Sequence, residues 1–551
     1  MVNGEQRPAV SVVLVRLYSL IDHAGSPYPR PRFARHVPPR DAVPDSTTTA
    51  FKAPPTLQTN KIRSKYFPTT SNEPYASPKK APAKREQVEA ELMDFWKREG
   101  DLPPSADKTL LERFFSKQGN LEEFGLQNEF GDVQRRSAVG LNRRREDLTR
   151  GWKGWPSPPM PGEPKLEEKK IVQAFVPFLN RIINTLGLSA TRAAVDRQNF
   201  TLPSFDGLSL APDVFLWGKG SPAFPPMDGI PSPLAKRQKK RKNNAPHRDN
   251  EEVPPSVEWP WCVIPIEIKT EHNRGATAKK DAFVQLGTYV REVFAAQENR
   301  RFVPSLILTE CTVEFLLWDR GGVVVSERID YHNEQQNNHI LFCNILAGLV
   351  TWEDQKLGFD PTVCYDQMVP PIRTGDSQQY ITGLHIRVVE GVKCADGWDM
   401  PVAKEAVYAV VETLIRPYTL RGRGSTCWRV RKLQDGEPDA SYLILDSWVK
   451  ADERVERDIL PKIQDARTKY GISGVAPLVH IGDVEIPGTM PYTDTVYHNR
   501  GGARFGPKDD LVHTRTILRC NGVPLEHFAD ARELLVTLHD VIQGTLSLAY
   551  P

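Results

Sequence analysis

From Lys165 onward the chain alternates helical and extended segments, and that alternation narrows the fold more than any other feature. In "KLEEKKIVQAFVPFLNRIINTLG", Ile171, Phe175, Phe178, Ile182 and Leu186 recur at three- and four-residue spacing. This is the apolar stripe of an amphipathic helix. Pro177 within it predicts a bend or interruption, because proline lacks the N–H that the ladder needs. "LSLAPDVFLWG" and "WCVIPIEIKT" are strand-like, and "AKKDAFVQLGTYVREVFAAQ" sets Phe283, Leu286, Val290 and Phe294 on one helical face. "FVPSLILTEC" and "VEFLLWDRGGVVVSERI" predict a strand and then a hairpin turning at Asp319 to Gly322. The succession describes an α/β or α+β domain over residues 165–370.

The flanks have a different character. Residues 1–84 are rich in Pro, Ser, Thr and Arg without periodicity, so too little apolar surface is present to offset ordering entropy, and disorder is expected. Residues 85–164 hold two short helical patterns, "KREQVEAELMDFWKREG" and "ADKTLLERFFSKQ". They end in "GWPSPPMPGEPK", whose prolines mark a linker or domain edge. Inside the α/β domain a loop over 219–258 carries a dense basic run of Lys236, Arg237, Lys239, Lys240, Arg241 and Lys242. Such a block repels itself and is exposed. It reads as a solvated insertion, a nuclear-import signal or a patch for nucleic-acid phosphates.

At 551 residues the chain is long enough for two or three domains, and a net charge of +3 excludes a polycation, so any basic partner surface is local. The cysteines at 262, 311, 343, 364, 394, 427 and 520 form no Cys-x-x-Cys pair, which argues against a zinc site or disulfide scaffold and for a reducing, intracellular compartment. The apolar run "AVSVVLVRLYSLI" is interrupted by Arg16 and lacks a signal-peptide cleavage site. No stretch approaches the roughly 18 apolar residues of a membrane span.

Alternation along "WCVIPIEIKT" puts Cys262, Ile264, Ile266 and Ile268 on one face and Pro265, Glu267 and Lys269 on the other. Asp213 follows a proline at the start of the neighbouring strand, and Gln285 and Tyr289 share a helical face downstream. The order Pro-Asp, Glu-x-Lys, Gln-x-x-x-Tyr resembles the PD-(D/E)xK nuclease superfamily, in particular its RecB-like branch. The resemblance implies that Asp213 and Glu267 ligate Mg2+, with Glu167 or Glu168 as a further acid, and that Lys269 stabilises developing charge. Gln285 would orient the site or contact nucleic acid. Two carboxylates suit a hard divalent cation, which polarises a phosphoryl oxygen and activates water. The alternative is a solvated strand face without chemistry.

The second half, 371–551, opens with "PYTLRGRGSTCWRVRKL", a strand, glycine turn and strand. It continues through "ASYLILDSWVKADERVERDILPKI" to "LVHTRTILRCNGVPLEHF" and a helix from Ala529 to Tyr550. Together with "DAFVQLGTYVREVFAAQENRRFVPSLILTE", "LWDRGGVVVSERID" and "LGFDPTV", these motifs resemble the fungal-type protein kinase family over roughly 165–551. The resemblance implies a protein-kinase-like fold that binds ATP, with Gly422 and Gly424 in the glycine loop, Glu456 as the helix glutamate and Arg519 to Leu525 as the hinge. Where the family's strand has a lysine just before Asp-Ser-Trp, this chain has Leu445, with Lys432 or Lys450 as the nearby cations. No His-Arg-Asp or Asp-Phe-Gly segment follows the last helix. The expectation is therefore an incomplete kinase-like domain, small lobe plus first large-lobe helices, inactive in phosphotransfer. Its final helix would expose leucines to a protein partner or missing lobe.

Overall fold

The computed structural model describes residues 106–115, 119–136, 146–159, 164–198, 209–225, 259–271, 276–365, 383–390, 404–433, 441–452, 455–471, 476–502 and 511–519, with a few isolated positions besides. The segment 1–84, the basic run 236–242, the hinge beyond Arg519 and nearly all of the helix expected from Ala529 lie outside the described residues. The protein is a mixed α/β structure built on two seven-stranded sheets.

The first sheet forms because its strands are apolar on both faces. Strands β1 (Phe130–Arg136) and β2 (Glu146–Trp152) make a separate antiparallel hairpin upstream of it. The sheet proper comprises β3 (Arg192–Asp196), β4 (Val214–Gly218), β5 (Cys262–Ile268), β6 (Phe302–Leu308), β7 (Thr312–Asp319) and β8 (Gly322–Val325), with the Ile329–Asp330 pair beside β7. Its spatial order is β8-β7-β6-β5-β4-β3, and only the β5–β6 pair among these is parallel. A parallel pair needs a crossover, and the helix Ala276–Ala296 supplies it. Every residue of β5, β6 and β7 is buried, the mark of strands covered on both sides.

Three helices cover this sheet: α1 (Glu168–Thr185), α2 (Ala276–Ala296) and α3 (Asn338–Thr351). Helix α1 runs unbroken through Pro177, against the expected interruption. Ile171, Val172, Phe175, Phe178, Leu179, Ile182 and Ile183 are all buried, and their packing outweighs one lost backbone bond. The β7–β8 hairpin turns at Arg320 and Gly321, as the sequence predicts. Of the segment before α1, expected as a helical stretch and linker, Leu110–Phe114 is helical, and the described parts pack into this first core. Phe115, Phe130 and Trp152 are buried in it, and the Trp152 indole donates to the Tyr331 carbonyl at 3.0 Å.

The second sheet is antiparallel throughout and begins at Val363, before the expected boundary at 370. It comprises β9 (Val363–Tyr365), β10 (Leu384–Glu390), β11 (Lys404–Ile415), β12 (Thr426–Lys432), β13 (Tyr442–Lys450), β14 (Leu478–Asp483) and β15 (Leu511–Arg519). The order is β9-β10-β11-β12-β13-β15-β14. Helix α4 (Val455–Tyr470) lies in the chain between β13 and β14. Leu384, Ile386, Tyr408, Trp428, Val430, Ile444 and Ile517 form a second core. The described residues belong to one compact unit, in which buried ion pairs tie the two sheets together, Arg301–Asp494 at 3.0 Å and Arg500–Asp319, while Arg515 pairs with Asp446 within the second sheet and with Asp360 just ahead of it. Among the described residues no helix is long and apolar enough to cross a membrane.

Candidate metal centre

Three elements deliver acids to one end of the first sheet. The first turn of α1 brings Glu168, the turn entering β4 brings Asp213, and the C-terminal end of β5 brings Glu267. Lys269 follows directly, its backbone N–H donating to the Leu308 carbonyl at 2.9 Å, so the parallel pairing fixes where its side chain starts. The Lys269 ammonium pairs with Glu267 and lies 3.6 Å from Glu168 Oε1. Of the two glutamates considered beforehand, Glu168 is the one brought here.

Asp213 is held on both oxygens. Oδ2 accepts from the Ile268 backbone N–H at 2.8 Å, and Oδ1 accepts from Gln198 Nε2 at 3.2 Å. Glu267 is fully buried, and among the described residues its carboxylate meets no hydrogen-bond donor apart from Lys269. Burial, followed by the Asp213 charge, pushes the Glu267 carboxyl up to about 8, with Lys269 pulling the other way. Burial also raises Asp213, against the Ile268 N–H and Lys269, and raises Glu168, against Lys269. For Lys269, burial disfavours the ammonium, but Glu267, Glu168 and Asp213 outweigh it and raise its pKa. Three carboxylates share one ammonium, which leaves the cluster short of positive charge.

The donor types suit a hard divalent cation, being carboxylate oxygens only, with one fully buried glutamate that has no second donor among the described residues. Glu168, Asp213 and Glu267 would hold it. Gln285 and Tyr289 sit behind the site. Gln285 Nε2 donates to the Tyr289 hydroxyl at 2.7 Å, and that hydroxyl donates to the Ala211 carbonyl at 3.0 Å, two residues before Asp213. The pair braces the Pro212–Asp213 turn. Gln198 was missed in the sequence, since a contact made across 15 residues leaves no local signal.

Among the described residues, Asp360, Asp446 and His513 are the group of acids and histidines whose potential ligand atoms lie within 4.8 Å of one another, a spacing that Glu168, Asp213 and Glu267 do not reach. There the cationic place is already taken. Arg515 bonds Asp446 through Nε at 2.7 Å and Nη2 at 2.6 Å, and reaches Asp360 at 3.2 Å. That cluster is an ion-pair network. Its sequence signal was His513 and Arg515 alternating within an apolar strand.

In the second half, Gly422 and Gly424 have positive φ, +98° and +49°. Their loop lies against the β7–β8 turn. Gly422 N–H donates to the Arg320 carbonyl at 3.0 Å, and a Cβ on Gly424 would stand 2.5 Å from Arg320 Nε. Glu456, on α4, pairs with Arg423 of that loop at 3.0 Å. Leu445 is buried on β13 between Cys427 and Thr516. Lys432 lies over the Tyr408 ring at 5.9 Å, and Lys450 is exposed at the strand end.

No curated protein and no solved structure matches the chain. A family model, described as fungal protein kinase, matches residues 242–550. The match takes in β5 to β8 of the first sheet, with Glu267 and Lys269, and the whole second sheet. Covering more than half of the chain, it shows that this protein belongs to the fungal protein kinase family.

Proposed function

We propose that this chain is a divalent-cation-dependent phosphodiester hydrolase of nuclease type, joined to a kinase-like lobe that has lost its strand lysine. One observation carries the reading: Glu168 from α1 and the buried Glu267 of β5 meet at the Lys269 ammonium, with Asp213 held on the Ile268 N–H between Glu267 and Lys269. A PD-(D/E)xK-type assignment is consistent with the chain order, in which α1, β3, β4 and β5 precede the crossover helix α2 and strand β6.

When bound, Mg2+ supplies Lewis acidity toward a phosphoryl oxygen and lowers the pKa of a coordinated water. The chain's own contributions are distinct. Glu267 offers a carboxylate with no competing donor among the described residues except Lys269. Asp213 is pre-oriented by Ile268 N–H and Gln198. Lys269 presents an ammonium for charge that develops on a phosphoryl oxygen. The basic run at 236–242 is proposed as a sequence-independent contact to nucleic-acid phosphates, and as an import signal consistent with a nuclear location.

The kinase-like lobe supports a reading without phosphotransfer. Leu445 has no charge for α- and β-phosphates, and Glu456 is engaged by Arg423. Calorimetric titration of Mg2+ and Mn2+ into the full chain, wild type against Glu267→Ala, followed by cleavage of single- and double-stranded DNA, tests the assignment. Cation binding and cleavage lost together in the variant support it. A cleavage activity equal in both removes Glu267 from the chemistry and the proposal with it.

A further inference from the structure

We infer that the Lys269 ammonium is a stand-in cation, occupying the divalent ion's place between Glu267 and Glu168 until the ion enters and displaces it. The inference rests on the metal-site reading above and specifies how that site is regulated.

The geometry separates what can move from what cannot. Glu267 lies on a strand paired on both sides, to β4 and to β6, and its side chain has no exposed surface. Asp213 is tethered by two hydrogen bonds. The Lys269 backbone is fixed to Leu308, but its four-carbon stem is of a flexible kind and ends in a compact charge. Its side chain retains 15% exposure and Glu168 retains 34%, so the open side of the cluster is theirs.

An ammonium and a divalent cation seek the same oxygens and repel each other when close. The oxygen that Lys269 pairs with belongs to the fully buried acid, which has no other donor among the described residues. Loading the cation therefore means swinging the ammonium outward past Glu168. The lysine meanwhile offsets the carboxylate charge of Glu267 and Glu168. The displaced ammonium is then the group available to an incoming phosphate.

The test uses full-length wild type, Lys269→Met and Glu267→Gln, with Mn2+ as probe. Calorimetry is paired with mass-spectrometric readout of amine acylation at Lys269. The expected results are Mn2+ binding about tenfold or more tighter in Lys269→Met, and acylation of wild-type Lys269 rising several-fold on Mn2+ saturation, because a side chain swung out to solvent and freed from its carboxylates gives its proton to water more readily and exposes the neutral amine that reacts. The acylation arm needs no variant, so it decides the matter even if Lys269→Met does not fold. Mn2+ binding that is lost in Glu267→Gln, together with Lys269 acylation that stays flat or falls, keeps the cation site and overturns the exchange. Absence of Mn2+ binding in wild type and Lys269→Met alike overturns both.

Discussion

Arg500 grips Asp319 with two guanidinium nitrogens, Nη2 reaching Oδ1 at 2.7 Å across 181 residues of sequence, and both side chains are buried. The pair joins the end of β7 in the first sheet to the segment preceding β15 in the second.

Removing one member leaves an uncompensated buried charge. Arg500→Met is expected to destabilise the protein by about 3–5 kcal/mol, whereas Arg500→Met with Asp319→Leu should recover much of that loss. Urea denaturation of the two variants checks it. Equal losses would show that the pair contributes only its packing.

His513 supplies a pH dependence. Nδ1 meets Asp494 at 2.9 Å and Nε2 meets Asp446 at 3.2 Å, so both ring nitrogens serve carboxylates. The ring also stacks on Trp448. Burial opposes the imidazolium, but the two aspartates outweigh it and raise its pKa to about 9. The folded value exceeds the unfolded one, so the stabilisation is fully present below about pH 6.5 and is lost as pH rises through 9. Between those limits the wild type should lose on the order of 3 kcal/mol more than His513→Gln, measured by urea denaturation at each pH. Parallel curves for the two proteins would contradict this.

Cation affinity should depend on pH with the opposite sign. A proton and a divalent ion compete for Glu267, whose carboxyl sits at about 8. Apparent Mn2+ affinity should climb as pH rises, approaching tenfold per unit below about 8, then level off. Calorimetry between pH 6 and 9 reads the slope, and a flat profile would remove Glu267 from the ligand set.

Tyr289→Phe deletes the donor to Ala211. It should cost about 1 kcal/mol of stability and weaken Mn2+ binding several-fold, because the turn carrying Asp213 loses its brace. Unchanged affinity would make Tyr289 a packing residue alone.

The two loop glycines should respond differently to alanine. Gly422 faces open space, so Gly422→Ala meets only the φ penalty, about 1 kcal/mol. Gly424→Ala must also push Arg320 off the Phe294 ring, where its guanidinium sits 3.9 Å from the centroid, and off the Thr419 carbonyl. A loss of about 2–3 kcal/mol is expected in thermal melts.

Helix α1 was legible because a stripe from Ile171 to Leu186 has only one economical use, and Glu267 and Lys269 were legible as a pair because strand alternation is strict. The hairpin of β1 and β2 was not, since "FGDVQRR" and "EDLTRGW" carry no apolar alternation. Its burial rests on Phe130 and Trp152 at the hairpin ends, paired to each other in register. Gly422 and Gly424 were visible as special backbone positions, but their surroundings depend on Arg320, about 100 residues earlier. Charged residues inside apolar strands announced that partners exist without naming them: Arg515 could only be matched to Asp360 and Asp446 in three dimensions.

The Arg301–Asp494 tie spans 193 residues. During synthesis at about 5–20 residues per second, Arg301 emerges roughly 10–40 s before its partner is made. All six main strands of the first sheet are complete by Val325, yet Arg301 and Asp319 must wait with their charges in water until the second sheet arrives. The nascent first half therefore passes through a stage with its closing surface open, when a chaperone could bind it or a neighbouring nascent chain could supply the wrong aspartate.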